Sequence, residues 1–382
     1  MERRVNEHVK GIQISGIRHF FQMIQSEEDV ISLTIGQPDF PTPDHVKEAA
    51  KRAIDSNVTA YTENAGMLPL RKAAADFLSK KYGIQYRPES EIIVTIGATQ
   101  AIDITLRTIL RPGDEVLLPG PVFPGYEPLI RLAGAVPVYM DTRDSNFKVT
   151  AEMIQNHLTD KTRCLILPYP SNPTGLTFSK SELERIANIL RGKDIFVLAD
   201  EIYSELTYDT EHTSIARYLF DQTIVINGLS KSHSMTGWRI GFTFAPEWIA
   251  QEMLKVHQYN ITCASSVSQM AALEALTVGI DDALEMRKEY QKRRDYVYNR
   301  LIDIGFETVM PNGAFYFFVK IPESFNGNAF DYCLMLVKKY RVSVVPGSAF
   351  SKYGEGYFRL SFAQSMEQLK EGLDRLERSM AF

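Results

Sequence analysis

Cysteine is scarce in this chain, with three residues, Cys164, Cys263 and Cys333, among 382. An odd number of widely separated cysteines, none of them in a Cys-x-x-Cys pair, supports neither a disulfide framework nor a cysteine zinc site. The seven histidines also lack the spacing of a metal-binding motif. We therefore expect no metal and a reducing compartment, most simply the cytoplasm.

Long apolar runs are missing as well. The longest, such as residues 314–319, fall far short of the roughly 18 residues that cross a bilayer. Residues 1–7 mix both charge signs and lack the apolar core of a secretory signal. Charge bias is small: 42 Lys and Arg against 47 Asp and Glu give a net charge of −5. This mild acidity argues against nucleic-acid and membrane-surface binding.

Three common catalytic and nucleotide motifs do not occur. Neither Gly-x-x-x-x-Gly-Lys-Ser/Thr nor Gly-x-Gly-x-x-Gly after a strand is found, which disfavours ATP, GTP and Rossmann-type NAD binding. The absence of Gly-x-Ser-x-Gly disfavours an α/β-hydrolase.

What the chain does contain is an ordinary globular composition, 45% hydrophobic and 23% charged. Its length predicts roughly two to three domains. Between residues 91 and 245, short apolar strands alternate with helices, which predicts an α/β domain with a largely parallel sheet. Residues 283–378 contain fewer strands, including one predicted over residues 342–345, and indicate a smaller α+β domain.

Polar residues follow four of the predicted strands. They are Gly97-Ala98-Thr99, Asn172, Asp200 and Ser230-Lys231. In open α/β sheets ligands bind at the carboxyl ends of the strands, so we expect these groups to converge on a cofactor site.

Each of these signals has an ordinary structural explanation when taken alone. Gly97-Ala98-Thr99 fits a helix cap as well as a phosphate site, and Asn172-Pro-Thr-Gly is a good turn sequence. Lys231 fits a solvated loop. Asp200 ends an apolar run, and a buried carboxylate must be paired or functional.

Residues 230–241, Ser-Lys-Ser-His-Ser-Met-Thr-Gly-Trp-Arg-Ile-Gly, resemble the pyridoxal-phosphate lysine motif of the class I/II aminotransferases. These belong to the aspartate aminotransferase superfamily. Other motifs follow in the order of that family: Tyr61 with Gly66, Gly97-Ala98-Thr99, Phe123-Pro-Gly-Tyr126, Asn172-Pro-Thr-Gly175, Asp200-Glu-Ile-Tyr203 and Arg359 in Phe-Arg-Leu-Ser. The resemblance extends from about residue 30 to 378 and is highly specific when the motifs are taken together.

The resemblance implies a pyridoxal-phosphate-dependent transferase of fold type I. A large cofactor-binding domain would span residues 43–279, and residues 1–42 and 280–382 would form the small domain. The implied substrates are an amino acid and a 2-oxo acid, with glutamate and 2-oxoglutarate expected as one pair. The implied assembly is a homodimer with shared sites, in which Tyr61 reaches the phosphate of the neighbouring subunit's cofactor.

The resemblance also assigns roles at the reacting centre. Lys231 would bond covalently to the cofactor's aldehyde and then move a proton. Asp200 would pair with the pyridine nitrogen. Tyr203 and Asn172 would hydrogen-bond the phenolic oxygen of the ring, and Phe123 would stack on its face.

The remaining roles concern phosphate and substrate. Arg359 would clamp the substrate's α-carboxylate, with Asn172 and Gly36 also at the substrate, and the segment around Gly36 would close over it. The phosphate would be held by Ala98, Thr99, Ser230 and Arg239.

Two positions depart from the family pattern. Gly228 stands where the family often has a serine, so one phosphate hydrogen bond is missing or replaced. Thr99 is uncharged where a bacterial aspartate-using subgroup has a lysine, which argues against a plain aspartate aminotransferase.

Four segments resemble the bacillar N-acetyl-L,L-diaminopimelate aminotransferase type, which acts in lysine biosynthesis: residues 14–20, 33–39, 168–173 and 256–260. Two alternatives remain open at this point. A C–S β-lyase would use the same cofactor for a different reaction. A non-catalytic ligand sensor of the same fold is remote, because Lys231, Asp200, Arg239 and Arg359 are all present.

Overall fold

A twisted sheet of seven strands lies at the centre of the chain. The computed structural model describes residues 4–13 and 16–380, so Ile14 and Ser15, which begin one of the resemblance segments, lie outside it. The strand order is β2-β8-β7-β6-β5-β3-β4. These strands are β2 (Ile92–Thr95), β3 (Glu115–Gly120), β4 (Val136–Asp141), β5 (Thr162–Pro168), β6 (Phe196–Asp200), β7 (Thr223–Gly228) and β8 (Gly241–Phe244).

The sheet is mostly parallel. From β4 through β3, β5 and β6 to β7, all neighbours run in the same direction, and only β8 is antiparallel to its two neighbours. Parallel neighbours need long crossovers, which the sequence supplies as helices. The predicted α/β architecture is confirmed.

The two faces of this sheet bury different cores. In β6, Val197 and Ala199 pack into one core, whereas Leu198 packs into the other. Successive side chains of a strand point to opposite faces, so an apolar run such as residues 195–199 identifies a strand that is covered on both sides.

The covering helices come from the connections between strands and from the segments flanking them. Leu183 belongs to the first core and Ile102 to the second, so helices lie on both faces. The helices are α1 (Glu7–Lys10), α2 (Gly16–Ile24), α3 (Asp44–Asp55), α4 (Leu68–Tyr82), α5 (Gly97–Ile109), α6 (Tyr126–Leu132), α7 (Ala151–His157), α8 (Lys180–Leu190), α9 (Leu229–Ser232), α10 (Glu247–Ile261), α11 (Ser266–Thr277), α12 (Ala283–Ile304), α13 (Ala329–Tyr340) and α14 (Met366–Arg378). Across the described residues, no helix combines the length and apolar character that crossing a membrane requires.

A second, smaller set of strands packs with α12, α13 and α14 around its own core. Its antiparallel sheet has the order β11-β12-β9, and β1 pairs in parallel with β10. These strands are β1 (Ile31–Ser32), β9 (Tyr316–Lys320), β10 (Val342–Ser343), β11 (Val345–Pro346) and β12 (Tyr357–Ser361). Residues from both ends of the chain thus share one core, while the domain boundaries at 42 and 279 stay a prediction.

The single strand predicted over residues 342–345 is wrong. Residues 342–343 pair with β1, whereas residues 345–346 pair with β12. The apolar run Val-Ser-Val-Val is continuous in sequence, but two different neighbours take up its backbone hydrogen bonds, and the strand divides at Val344.

Candidate active site

A cavity of about 590 Å³ opens at the carboxyl ends of β5, β6 and β7. Its lining includes every site residue predicted from the sequence except Tyr61: Gly36, Ala98, Thr99, Phe123, Asn172, Asp200, Tyr203, Ser230, Lys231, Arg239 and Arg359. The expected convergence of the strand ends is therefore observed. Within the described stretches, no group of three or more His, Cys, Asp or Glu side chains is arranged to hold a metal ion.

Tyr61 lies outside the cavity, on the connection between α3 and α4, with 85% of its surface exposed. Its predicted role belongs to a neighbouring subunit's site and is not a contact within one chain. The role therefore stays a prediction.

Lys231 lies on the short helix α9, directly after β7. Its Nζ donates a hydrogen bond of 2.6 Å to the carbonyl oxygen of Gly36. Burial, together with the positive charges of Arg359 and Arg239, lowers the pKa of this amine to about 8, and the charge of Asp200 partly opposes the shift. Lys231 is therefore more often in its neutral, nucleophilic form near physiological pH than an ordinary lysine is.

Asp200 ends β6 and is buried, with 6% of its surface exposed. Tyr126 donates its hydroxyl hydrogen to Oδ2 at 2.6 Å, and the backbone N–H of Ile202 donates to Oδ1 at 3.3 Å. Burial raises the pKa of this carboxyl group to about 6, and the two hydrogen bonds oppose the rise. Tyr126 was not among the predicted site residues, although it closes the Phe123-Pro-Gly-Tyr126 motif that could have identified it.

Arg359, on β12, connects three segments of the chain. Its Nη1 donates to Asn172 Oδ1 at 3.0 Å, and its Nη2 donates to the carbonyl oxygen of Thr34 at 2.7 Å. The guanidinium carbon lies 4.3 Å from the ring centre of Tyr316. Nε has no hydrogen-bond partner among the described residues, so the guanidinium retains capacity for a further acceptor.

Tyr316 is a second residue that the sequence reasoning missed. Its hydroxyl lies 2.8 Å from the hydroxyl of Tyr203, and its ring supports Arg359. In sequence it lies in the aromatic run 315–318, which is typical of a core strand, so only the three-dimensional pairing reveals its place in the cavity.

The N-terminus of α5 lies at the cavity and is suited to an anion, and we call it the anion site. The helix has neither a side-chain cap on Ile96 nor an acidic residue in its first turn, so N–H groups at Ala98 and Thr99 face the cavity without an anionic partner. The guanidinium of Arg239 lies directly over Gly97, where a Cβ would be 2.6 Å from Nη2, and Gly97 has φ +74°. The approach of Arg239 to the helix end thus requires glycine at position 97.

Gly228, which replaces the serine frequent in the resembling family, lies where β7 pairs with β8. A Cβ there would lie 3.0 Å from the carbonyl oxygen of Ile240, which is tighter than ordinary contact. Close packing between the two strands therefore favours glycine, and Ser230 and Arg239 remain beside the anion site.

The outer wall of the cavity is largely apolar. Ile17 and Phe21 from α2 and Ile35 from the segment after β1 form this wall, with Gln37 and Thr236 as uncharged polar neighbours. The cations of the described lining are Lys231, Arg239 and Arg359, and none of them forms an ion pair with a carboxylate of the described residues. Such a cavity favours anionic ligands.

Four similarities to known proteins bear on this site. The family model "Aminotransferase class I and II" matches residues 28–376. A Bacillus subtilis protein named probable N-acetyl-LL-diaminopimelate aminotransferase is 62% identical, covering 99% of this chain and 96% of its own length. The aromatic-amino-acid aminotransferase 2 of Thermococcus litoralis is 41% identical, covering 98% of this chain and 97% of its own length. The structure of Thermus thermophilus aspartate aminotransferase with maleate superposes with a TM-score of 0.93 at 34% identity, covering 98% of this chain and 99% of that one.

The lowered pKa of Lys231 predicts its chemical reactivity in the ligand-free protein. Below about pH 8 the amine is protonated and unreactive, and above it the neutral amine attacks acylating reagents. Pulse acetylation followed by mass spectrometry should give half-maximal labelling of Lys231 near pH 8. Lys51 is the internal control, because Glu48 raises its pKa and keeps it protonated over this range.

The variant Arg359→Gln removes a repelling cation and should move the labelling midpoint of Lys231 to higher pH. A labelling profile of Lys231 that coincides with that of Lys51 would contradict the geometry described above.

Proposed function

Because the chain belongs to the class I and II aminotransferase family, as its motifs predicted, we propose that it transfers amino groups with pyridoxal phosphate held in this cavity. The observation that carries the proposal is the convergence, within one cavity, of an amine with lowered pKa, a buried carboxylate, an anion site and a free guanidinium edge. Relatives reported for the chain are aminotransferases, and nothing in these comparisons favours a C–S β-lyase.

The residues of the cavity fit this cofactor. Bound pyridoxal phosphate supplies an aldehyde that bonds to amines and a pyridinium ring that accepts an electron pair. Its phosphate suits the anion site, where the N–H groups of Ala98 and Thr99, the hydroxyl of Ser230 and the guanidinium of Arg239 are available. Phe123 provides an aromatic face in the same cavity.

The chain's own residues divide the chemistry between them. Asp200 holds the proton on the ring nitrogen, since a buried carboxylate favours a cationic partner. Lys231 moves the proton between the substrate Cα and the cofactor carbon, for which a pKa near 8 is suitable. Tyr203 and Asn172 hydrogen-bond the phenolic oxygen, and the hydroxyl of Tyr316 helps to orient Tyr203.

Arg359 and the segment around Gly36 recognise the substrate. The contacts of Arg359 with Asn172 and Thr34 leave Nε and the open edge of the guanidinium for an α-carboxylate. When Lys231 bonds to another group, its hydrogen bond to Gly36 is lost, which frees the Gly36 carbonyl oxygen for a new donor.

For the substrate we propose N-acetyl-L,L-diaminopimelate, with glutamate and 2-oxoglutarate as the other pair. The 62% identity to the Bacillus subtilis relative of that name supports this substrate. Ile17 and Phe21 give the cavity an apolar wall that suits a substrate with a longer chain than aspartate. A longer substrate lays its methylene groups along Ile17 and Phe21 and carries its distal end to the mouth.

We also propose a homodimer in the cytoplasm. Tyr61 and Tyr259 are two strongly exposed aromatic side chains, with 85% and 88% of their surfaces accessible. Asn64 donates to the carbonyl oxygen of Thr262 at 2.8 Å, which ties the two segments together. Two aromatic side chains presented by adjoining segments suit an interface with a second copy of the chain.

The role of Arg359 predicts a defect in substrate binding. Arg359→Ala should raise KM for glutamate about 10- to 100-fold, because a charge-assisted hydrogen-bonded clamp is lost. In the unchanged chain, the visible absorption band of the bound cofactor should disappear when glutamate is added and return when 2-oxoglutarate is added. In Arg359→Lys the charge is retained but the two-pronged geometry is lost, so most of the defect should persist. Unchanged affinity in Arg359→Ala would exclude this role, and a cofactor retained covalently by Lys231→Ala would exclude the proposed lysine.

The substrate proposal predicts a ranking of amino donors. In steady-state assays kcat/KM should be about tenfold or more higher for N-acetyl-L,L-diaminopimelate than for aspartate, since the longer chain gains apolar contacts. Phe21→Ala should lower kcat/KM for the acetylated donor and leave glutamate nearly unchanged. A preference for aspartate in the unchanged chain would contradict the substrate while leaving the aminotransferase activity intact.

The shared site predicts an effect of Tyr61 on cofactor binding. Sedimentation should give a dimer for the unchanged chain and for Tyr61→Phe. The variant should bind pyridoxal phosphate several-fold more weakly, because it loses roughly the free energy of one hydrogen bond. Tyr259→Phe, on the adjoining segment, is the matched control and should bind normally. A monomer with full cofactor affinity would contradict the shared site.

A further inference from the structure

We infer that Tyr126 is a positioning residue for the reaction, whose hydroxyl holds the Asp200 carboxylate in place for the ring nitrogen of the cofactor. The inference rests on the proposed cofactor. It assigns a role to Tyr126, which is not among the site residues predicted from the sequence. Tyr126 lines the cavity and is itself buried, with 1% of its surface exposed.

The geometry separates the two carboxylate oxygens of Asp200. Oδ2 accepts the hydroxyl hydrogen of Tyr126 at 2.6 Å, whereas Oδ1 has only the longer contact of 3.3 Å with the N–H of Ile202. A short hydroxyl–carboxylate bond in a buried setting fixes the rotation of the carboxylate. Oδ1 therefore retains acceptor capacity for an N–H group in the cavity.

Tyr126 is itself fixed by the turn that precedes it. It is the first residue of α6, and its ring meets that of Phe123 edge to face, with ring centres 5.6 Å apart. The Phe123 ring folds back over Gly125, where a Cβ would lie 2.3 Å from it. The short segment of residues 123–126 thus supplies both the aromatic ring in the cavity and the hydroxyl group that donates a hydrogen bond to Asp200.

The hydroxyl of Tyr126 also affects the pKa of the Asp200 carboxyl group. Burial raises the pKa of Asp200, and the charge of Glu201 acts in the same direction. Tyr126, Ile202 and the charge of Lys231 oppose the rise, and the buried hydroxyl of Tyr203 also faces this carboxylate. Without the Tyr126 hydroxyl, Asp200 becomes easier to protonate, and a neutral carboxyl group holds a ring-nitrogen proton less well.

The test measures cofactor binding and does not depend on turnover. The protein is stripped of cofactor, and dissociation constants are measured by equilibrium dialysis for pyridoxal phosphate and for its analogue with carbon in place of the ring nitrogen. Tyr126→Phe should bind pyridoxal phosphate about tenfold more weakly, because losing one hydrogen bond to a charged group changes the dissociation constant by about that factor. It should bind the carbon analogue as the unchanged chain does, because that analogue presents no N–H to Asp200.

Two further variants isolate the effect. Tyr139→Phe is the matched control, because Tyr139 donates to Glu127 Oε2 at the same 2.6 Å but lies outside the cavity lining, and it should bind both ligands normally. In an Asp200→Asn background, Tyr126→Phe should cause no further loss.

The outcomes are distinct. Equal weakening of both ligands by Tyr126→Phe would assign the residue to packing and overturn the inference, as would the absence of any weakening. Failure of the unchanged chain to bind pyridoxal phosphate would overturn the proposed cofactor and this inference with it.

Discussion

An imbalance of charge governs the site: three cations face one carboxylate across a partly apolar cavity. Lys231, Arg239 and Arg359 all come from different elements, and the described residues give none of them a carboxylate partner. Arg359 is buried, and a buried cation without an anion is costly, so the surrounding fold must hold it there. The proposed ligands, a phosphate and a carboxylate, supply the missing negative charge.

The same imbalance accounts for the chemistry expected of Lys231. Burial and the neighbouring guanidinium groups both favour its neutral form, and the charge of Asp200 opposes this shift only in part. Asp200 in turn has its pKa raised by burial, and the hydrogen bonds from Tyr126 and Ile202 oppose this rise. The base and the carboxylate are thus adjusted in opposite directions by one environment, as catalytic pairs require.

Much of this could be predicted from the sequence, because the strong signals are local. The strand ends at Asp200 and Ser230-Lys231, the α/β alternation and the class I/II family were all predicted and confirmed. The division of residues 342–346 between two sheets could not be predicted, since it depends on which distant strands supply the hydrogen bonds. Tyr126 and Tyr316 were missed because a buried tyrosine has the sequence signature of core packing, and only a partner from elsewhere in the chain marks its hydroxyl as functional.

The contacts of Arg359 have a consequence for how the protein is made. The anion site, Asp200 and Lys231 are all encoded before residue 240, whereas the proposed carboxylate clamp needs Arg359 from near the end of the chain and Thr34 from its beginning. During synthesis the N-terminal parts of a chain emerge first. The residues proposed to hold the cofactor are therefore present in the growing polypeptide while the proposed amino-acid site is still incomplete. The order of translation separates the arrival of the cofactor site from the arrival of the substrate site.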